Sequence, residues 1–270
     1  MTADLPYDPP EPYREQFTQE HGFPLFNERK EKVGIDLYDG EIRYSDDGLK
    51  ELVGALERHG IWDDTLFVFT SDHGEEFFEH GVLGHGFSLY QEVVHVPLIL
   101  RGPGVPAGSV VEQPVQIVDL AATVLELAQL GVTEFGDGKS FAHLLGAGDL
   151  VESAPHFLES EFGQDDTNQR EFVFSGLRFG PWKLVLTEEN EFFPPARFGR
   201  EALFDLERDP AEQRNLFRDE AQRVRVQEFL AQLHAHSQFL QEHGFRDIAP
   251  AALTPEVEAA LKALGYMGGE

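Results

Sequence analysis

The sequence predicts an α/β protein: a partial mixed sheet flanked by helices, then a small C-terminal antiparallel sheet with a helix. Three observations predict it. The apolar runs Leu66–Phe69 and Val96–Leu100 have the length and the turn-forming flanks of buried strands. Helical periodicity lies on either side of them, and strand, helix and strand in alternation indicate a partly parallel sheet. Beyond Gly146-Ala147-Gly148 the pattern changes to short strands split by turns. That change sets an expected division into residues 1–150 and 151–270.

Taken in order, the first 32 residues are rich in proline and charge, which reads as an extended segment with a short helix around Glu11–Gln19. Ile42, Ser45, Leu49, Leu52, Val53 and Leu56 follow the helical period, so Gly40–Arg58 reads as an amphipathic helix ended by Gly60. Pro97 places the second strand's start or edge. Val110–Val118 contains a further short strand, and Asp119 caps a helix running to Leu130. His156–Phe162, Phe172–Arg178, Trp182–Thr187 and Ala202–Leu206 form the antiparallel strands. Glu220–Glu242 is a long helix burying Val224, Phe229, Leu230, Leu233 and Leu240, and Pro255–Leu264 is a last short one.

The composition narrows the function classes. With 49 acidic and 21 basic residues the net charge is -28, which argues against nucleic acid as a partner. No apolar run approaches the roughly 20 residues of a membrane helix. The absence of cysteine excludes disulfides, thiolate metal sites and a cysteine nucleophile.

Thr70-Ser71-Asp72-His73-Gly74-Glu75-Glu76 carries the candidate chemistry. It follows the first apolar run, and ligands of open α/β sheets sit outside the carboxyl ends of strands. Neighbours on a straight strand face opposite ways, so Asp72 and His73 serve one site only if the chain turns, which Gly74 permits. His85, between Gly84 and Gly86, sits on a loop whose backbone can approach a ligand. Glu75 and Glu76 read as solvated or supporting, His80 and His95 as structural, and Lys183, Arg178 and Arg197 as surface residues.

The ordered set resembles the sulfatase family of the alkaline-phosphatase-like superfamily. TSDHGEEFFEHG at 70–81, Gly84-His85-Gly86 and His95-Val96-Pro97-Leu98-Ile99 are similar to its second signature region. Tyr38–Tyr44 with Asp46, and Asp119–Thr123, resemble two of its helix starts. Phe204-Asp205-Leu206 with Asp209-Pro210, Glu212 and Asn215-Leu216 resembles its C-terminal segment, and Ala263–Tyr266 a terminus of one subgroup. The resemblance implies a divalent cation, calcium in complete relatives, with Asp72 and His73 as metal ligands and His85 as the catalytic, sulfate-contacting residue. It implies sulfate-ester small molecules or glycans as substrates. It also implies a formylglycine nucleophile made from C/S-x-P-S/A-R, and paired aspartates upstream. Neither occurs here, and the nearest look-alike, Ser153-Ala154-Pro155, continues with His156. The expectation is therefore a chain inactive alone, with calcium binding weak or absent. The alternatives are a phosphatase or phosphodiesterase of the same superfamily, and a non-catalytic subunit pairing with a separate N-terminal half.

Overall fold

In the computed structural model, residues 7–18, 28–146, 154–164, 170–187 and 201–243 are described. They belong to two compact units, residues 1–226 and 227–270, and every strand among the described residues lies in the first. The expected division near residue 150 falls in 147–153, outside the described residues, as do the helix expected at Pro255–Leu264 and Arg197.

A short helix α1 (Tyr13–Thr18) leads to α2 (Glu28–Arg58), which begins 12 residues before the expected Gly40. The stretch before Gly40 is charged but free of proline after Pro24, so nothing in the backbone stops the helix from extending upstream. Ile42 and Leu52 of its periodic set are 47% and 50% exposed. Strands β1 (Phe67–Thr70) and β4 (Leu98–Arg101) pair with each other, Phe67 opposite Arg101. Pro97 stands just before β4, where it interrupts no ladder bond. Between them lie β2 (Glu76–Phe77) and β3 (Leu83–Gly84), a small hairpin, and the single-turn helix α3 (Gln91–Val94).

The alternation of elements suggested parallel pairing; every strand pair among the described residues is antiparallel. The connection from β1 to β4 is spent on a hairpin, loops and one helical turn, not on a crossover helix. Phe69 and Ile99 are 36% and 55% exposed, so these strands are less buried than their sequence implies. Val110–Val118 holds no strand; it runs as loop into a 3-10 turn, with Val110 85% exposed. Helix α4 (Leu120–Leu127) follows, then the small hairpin β5 (Glu134–Phe135) and β6 (Gly138–Lys139). Asp119 makes no side-chain cap; its Oδ1 accepts instead from Lys139 N at 2.9 Å.

The predicted antiparallel sheet is present, in the order β10-β9-β8-β7: β7 (His156–Gln164), β8 (Arg170–Phe179), β9 (Trp182–Thr187) and β10 (Glu201–Asp205). It packs on the loop after β3. Leu89 joins Phe174 and Val185 in one apolar cluster, and Tyr90 joins Ala202 and Phe204 in another. Helix α5 (Arg223–His243) buries Val226, Phe229 and Leu233, whereas Val224, expected inside, is 67% exposed. No described helix is long and apolar enough to cross a membrane.

Candidate active site

After β1 the backbone leaves the ladder at Ser71, whose Oγ donates to His73 O at 2.7 Å. His73 N donates to Asp72 Oδ1 at 3.1 Å, closing a tight turn around the two residues. Gly74 is needed here for lack of a side chain rather than for a left-handed turn. A Cβ on it would fall 2.0 Å from Glu92 O, and its N–H donates to Val93 O at 2.7 Å. Helix α3 thus seats directly on the residue between His73 and Glu75.

His85 returns to this point on the loop after β3, between Gly84 (φ 98°) and Gly86 (φ 85°), conformations that favour glycine. Its ring stacks on that of His73, centroids 3.8 Å apart and planes 27° apart. Its Nδ1 contacts Glu75 Oε1, and Tyr7 donates its phenol O–H to Glu75 Oε2. Carboxylates only accept, so the His85 proton lies on Nδ1. The same logic applies to His73, whose Nδ1 lies 3.0 Å from Gly74 O. In the neutral ring this places the lone pair on Nε2, as metal-ligating imidazoles require. Tyr7 is held in turn by Tyr38 and Phe77, at centroid distances of 5.5 and 5.8 Å. Burial, then the Glu75 charge, push the Tyr38 phenol up.

The structure therefore joins two of the sequence-selected residues, His73 and His85, and adds Glu75. Donor atoms of these three lie within 4.8 Å of one another. Glu75 is 6% exposed, so the solvated reading of it does not hold. Asp72 lies at the rim, its side chain 69% exposed, 3.9 Å from His73 Nε2. Its slight burial acts upward, but hydrogen bonds from its own and the His73 N–H, with the His73 charge, hold its carboxyl below the usual range. Asp72, His73 and His85 line a cavity of about 1350 Å³, with Arg101, His156 and Arg178 also on its wall.

The other selected residues are structural. Glu76, fully buried, accepts from His80 N, Val82 N and the Ser88 hydroxyl, which rigidifies the β2–β3 hairpin; burial pushes its carboxyl up. His80 stacks on Tyr90 at 3.7 Å. Lys183, expected on the surface, is fully buried in an ion pair with Glu212 at 2.8 Å. Its position on β9, between Trp182 and Leu184, carried that signal: a lone lysine facing inward must bring a partner. Glu75 had a weaker one, its place two residues after His73 across a glycine.

Family comparison settles the lineage. The sulfatase model matches residues 4–130, and the model for the C-terminal region of N-sulphoglucosamine sulphohydrolase matches residues 78–239. The chain belongs to the sulfatase family. Among its sulfatase relatives, arylsulfatase K of Danio rerio is 33% identical over 174 residues, covering 64% of this chain and 31% of the relative. Arylsulfatase K of Mus musculus is 32% identical over 196 residues, covering 71% and 34%. The chain thus spans about a third of the length of these curated relatives. Among solved structures, the phosphonate monoester hydrolase of Agrobacterium radiobacter superposes with a TM-score of 0.63 at 26% identity, over 78% of this chain and 43% of that one. A putative sulfatase of Bacteroides fragilis gives 0.66 at 19% identity, over 86% and 50%, which bears on fold alone.

Proposed function

We propose that the chain carries the downstream half of a sulfate-ester hydrolase site, in which His73 and Asp72 offer donors to a divalent cation and His85 contacts the sulfate group. Residues 1–150 then correspond to the later part of the catalytic domain, and 151–270 to its C-terminal subdomain. The observation that carries this reading is the His73–His85 stack backed by the buried Glu75 carboxylate on the wall of one cavity. Glu75 fixes the His85 ring and its tautomer; Gly74 and α3 fix His73. A cation bound there would place positive charge against the sulfuryl oxygens as negative charge develops on them.

The donor set decides which cation fits. Calcium takes about 6–8 oxygen ligands, and His73 with Asp72 offers one imidazole nitrogen and one carboxylate, 3.9 Å apart. Ions that accept imidazole together with carboxylate, such as zinc, suit these residues better. No cysteine and no C/S-x-P-S/A-R motif occurs in the 270 residues, so we expect these residues by themselves not to turn over substrate.

A phosphoryl or phosphonyl ester is the second reading, favoured by the likeness to the phosphonate monoester hydrolase. Calorimetric titration of the full chain with zinc and with calcium tests the cation site. Zinc should bind, calcium only weakly, and His73→Ala should abolish the zinc signal while His85→Ala leaves it near wild type; unchanged binding in His73→Ala overturns the assignment. Aryl sulfate and aryl phosphonate turnover, with and without chelator, tests the expected inactivity.

A further inference from the structure

The fully buried pair Lys183–Glu212 lies outside the cluster just described, on β9 and on the turn after β10. Burying two opposite charges is weak evidence for stability, because desolvation offsets their attraction. Here burial pushes the Lys183 ammonium down and the Glu212 carboxyl up, while each opposes the other's shift. The pair's contacts indicate what else it does. Glu212 Oε2 accepts from Gln91 N, the first residue of α3, at 2.6 Å. Lys183 Nζ donates to Gln91 Oε1 at 3.3 Å. The Glu212 carbonyl lies 3.2 Å from Nε2 of His80, whose ring stacks on Tyr90 immediately before α3.

Helix α3 is four residues long and has no side-chain cap of its own at Tyr90. Such a turn is not self-sustaining, and its orphan N–H groups need acceptors from elsewhere. Glu212 supplies one. The far end of the same turn provides Val93 O, which accepts from Gly74 N, and Glu92 O, which excludes any side chain at Gly74. A continuous set of contacts therefore runs from the antiparallel sheet to the backbone between His73 and Glu75.

We infer that Glu212, with Lys183 as its counter-charge, is a positioning residue for the His73–Glu75–His85 cluster: its carboxylate clamps the start of α3, and α3 sets the backbone at Gly74. Lys183 balances the buried charge of Glu212, and Glu212 holds α3. The role rests on the cation-site reading only for its consequence, not for its mechanics.

Two variants of the full chain separate this role from bulk stability. The double substitution Lys183→Met with Glu212→Met fills the space but removes the acceptor for Gln91 N. Gln91→Pro deletes that donor, and with it the Gln91 Oε1 contact to Lys183, while both members of the pair stay in place. Proline is tolerated at a first helical position, here after a Tyr90 already extended (φ −69°, ψ 162°). Lys183→Met with Glu212→Gln, which keeps an acceptor, is the control. The readout is hydrogen exchange of the Gly74 amide by NMR, referenced to the Leu184 amide of β9. Both variants that break the Gln91–Glu212 hydrogen bond should speed Gly74 exchange about tenfold relative to Leu184, and weaken zinc binding by about tenfold or more, with the control near wild type. Unchanged relative exchange at Gly74 in Gln91→Pro overturns the inference even if the double Met variant fails to fold. Wild-type chain that binds no zinc overturns the cation site alone, because the exchange result stands independently.

Discussion

His156 faces Arg178 directly across β7 and β8, and both line the cavity that holds His73 and His85. Burial first, then the Arg178 charge, lower the imidazole from its ordinary 6.5; Asp119 opposes them. A base whose folded value lies below its unfolded one binds fewer protons in the native state. Its stabilising contribution is complete above the unfolded value and is lost as pH falls through the folded one. Denaturant melts from pH 8 downward should therefore show stability declining once pH drops below about 6.5, and His156→Gln should flatten that limb. A decline of the same size in the variant assigns it to other groups. Gly74 is the second informative position, where contact with α3 leaves no room for a Cβ. Its sequence signal was correct in residue type and incomplete in reason: the demand is close approach, which only a neighbour distant in sequence reveals.

Elements here are joined by side chains that complete one another's hydrogen bonds. Thr123 on α4 is fully buried; its hydroxyl donates to Asp119 O at 2.8 Å and accepts from Phe141 N at 3.0 Å. It ties the helix to the 3-10 turn at Ala142–Leu145. Thr123→Val keeps the shape but leaves the Phe141 N–H without its acceptor, so a loss of about 1–3 kcal/mol is expected in urea unfolding. A change below about 0.5 kcal/mol would show that the Phe141 N–H finds another partner. At this scale the sequence was legible where local periodicity governs. Trp182–Thr187 was expected with the bounds observed, and β7, β8 and β10 lie within two residues of expectation. Val110–Val118 was misread because its apolar residues line a cavity wall, and alternation alone does not distinguish a loop against a cavity from a strand.

At the scale of the whole molecule, a net charge of -28 is a self-repulsion that folding concentrates. Salt shortens its reach, from a Debye length of about 30 Å at 0.01 M to about 10 Å at 0.1 M. Thermal midpoints should accordingly rise by a few degrees as sodium chloride is raised over that interval, with potassium chloride equivalent; a flat response would mean the acidic residues lie too far apart to repel. The cavity wall itself carries both signs: Arg101 and Arg178 reach it together with Asp63, Asp72, Glu112 and Glu159.

The sequence by itself determined the α/β class, the antiparallel C-terminal sheet, the family, and the stretch where the candidate chemistry sits. Each of these depends on local pattern or on an ordered set of motifs. Tertiary structure alone decided that Glu75 joins His73 and His85 while Asp72 lies at the rim. It alone decided that Lys183 is buried against Glu212 and that this pair reaches Gly74 through one turn of helix. The reason is physical. A carboxylate two residues from a histidine can face water or protein, and the choice is made by Tyr7, 68 residues upstream, and by His85 on the next loop. Burial of a charge depends on the partner that folding brings to it.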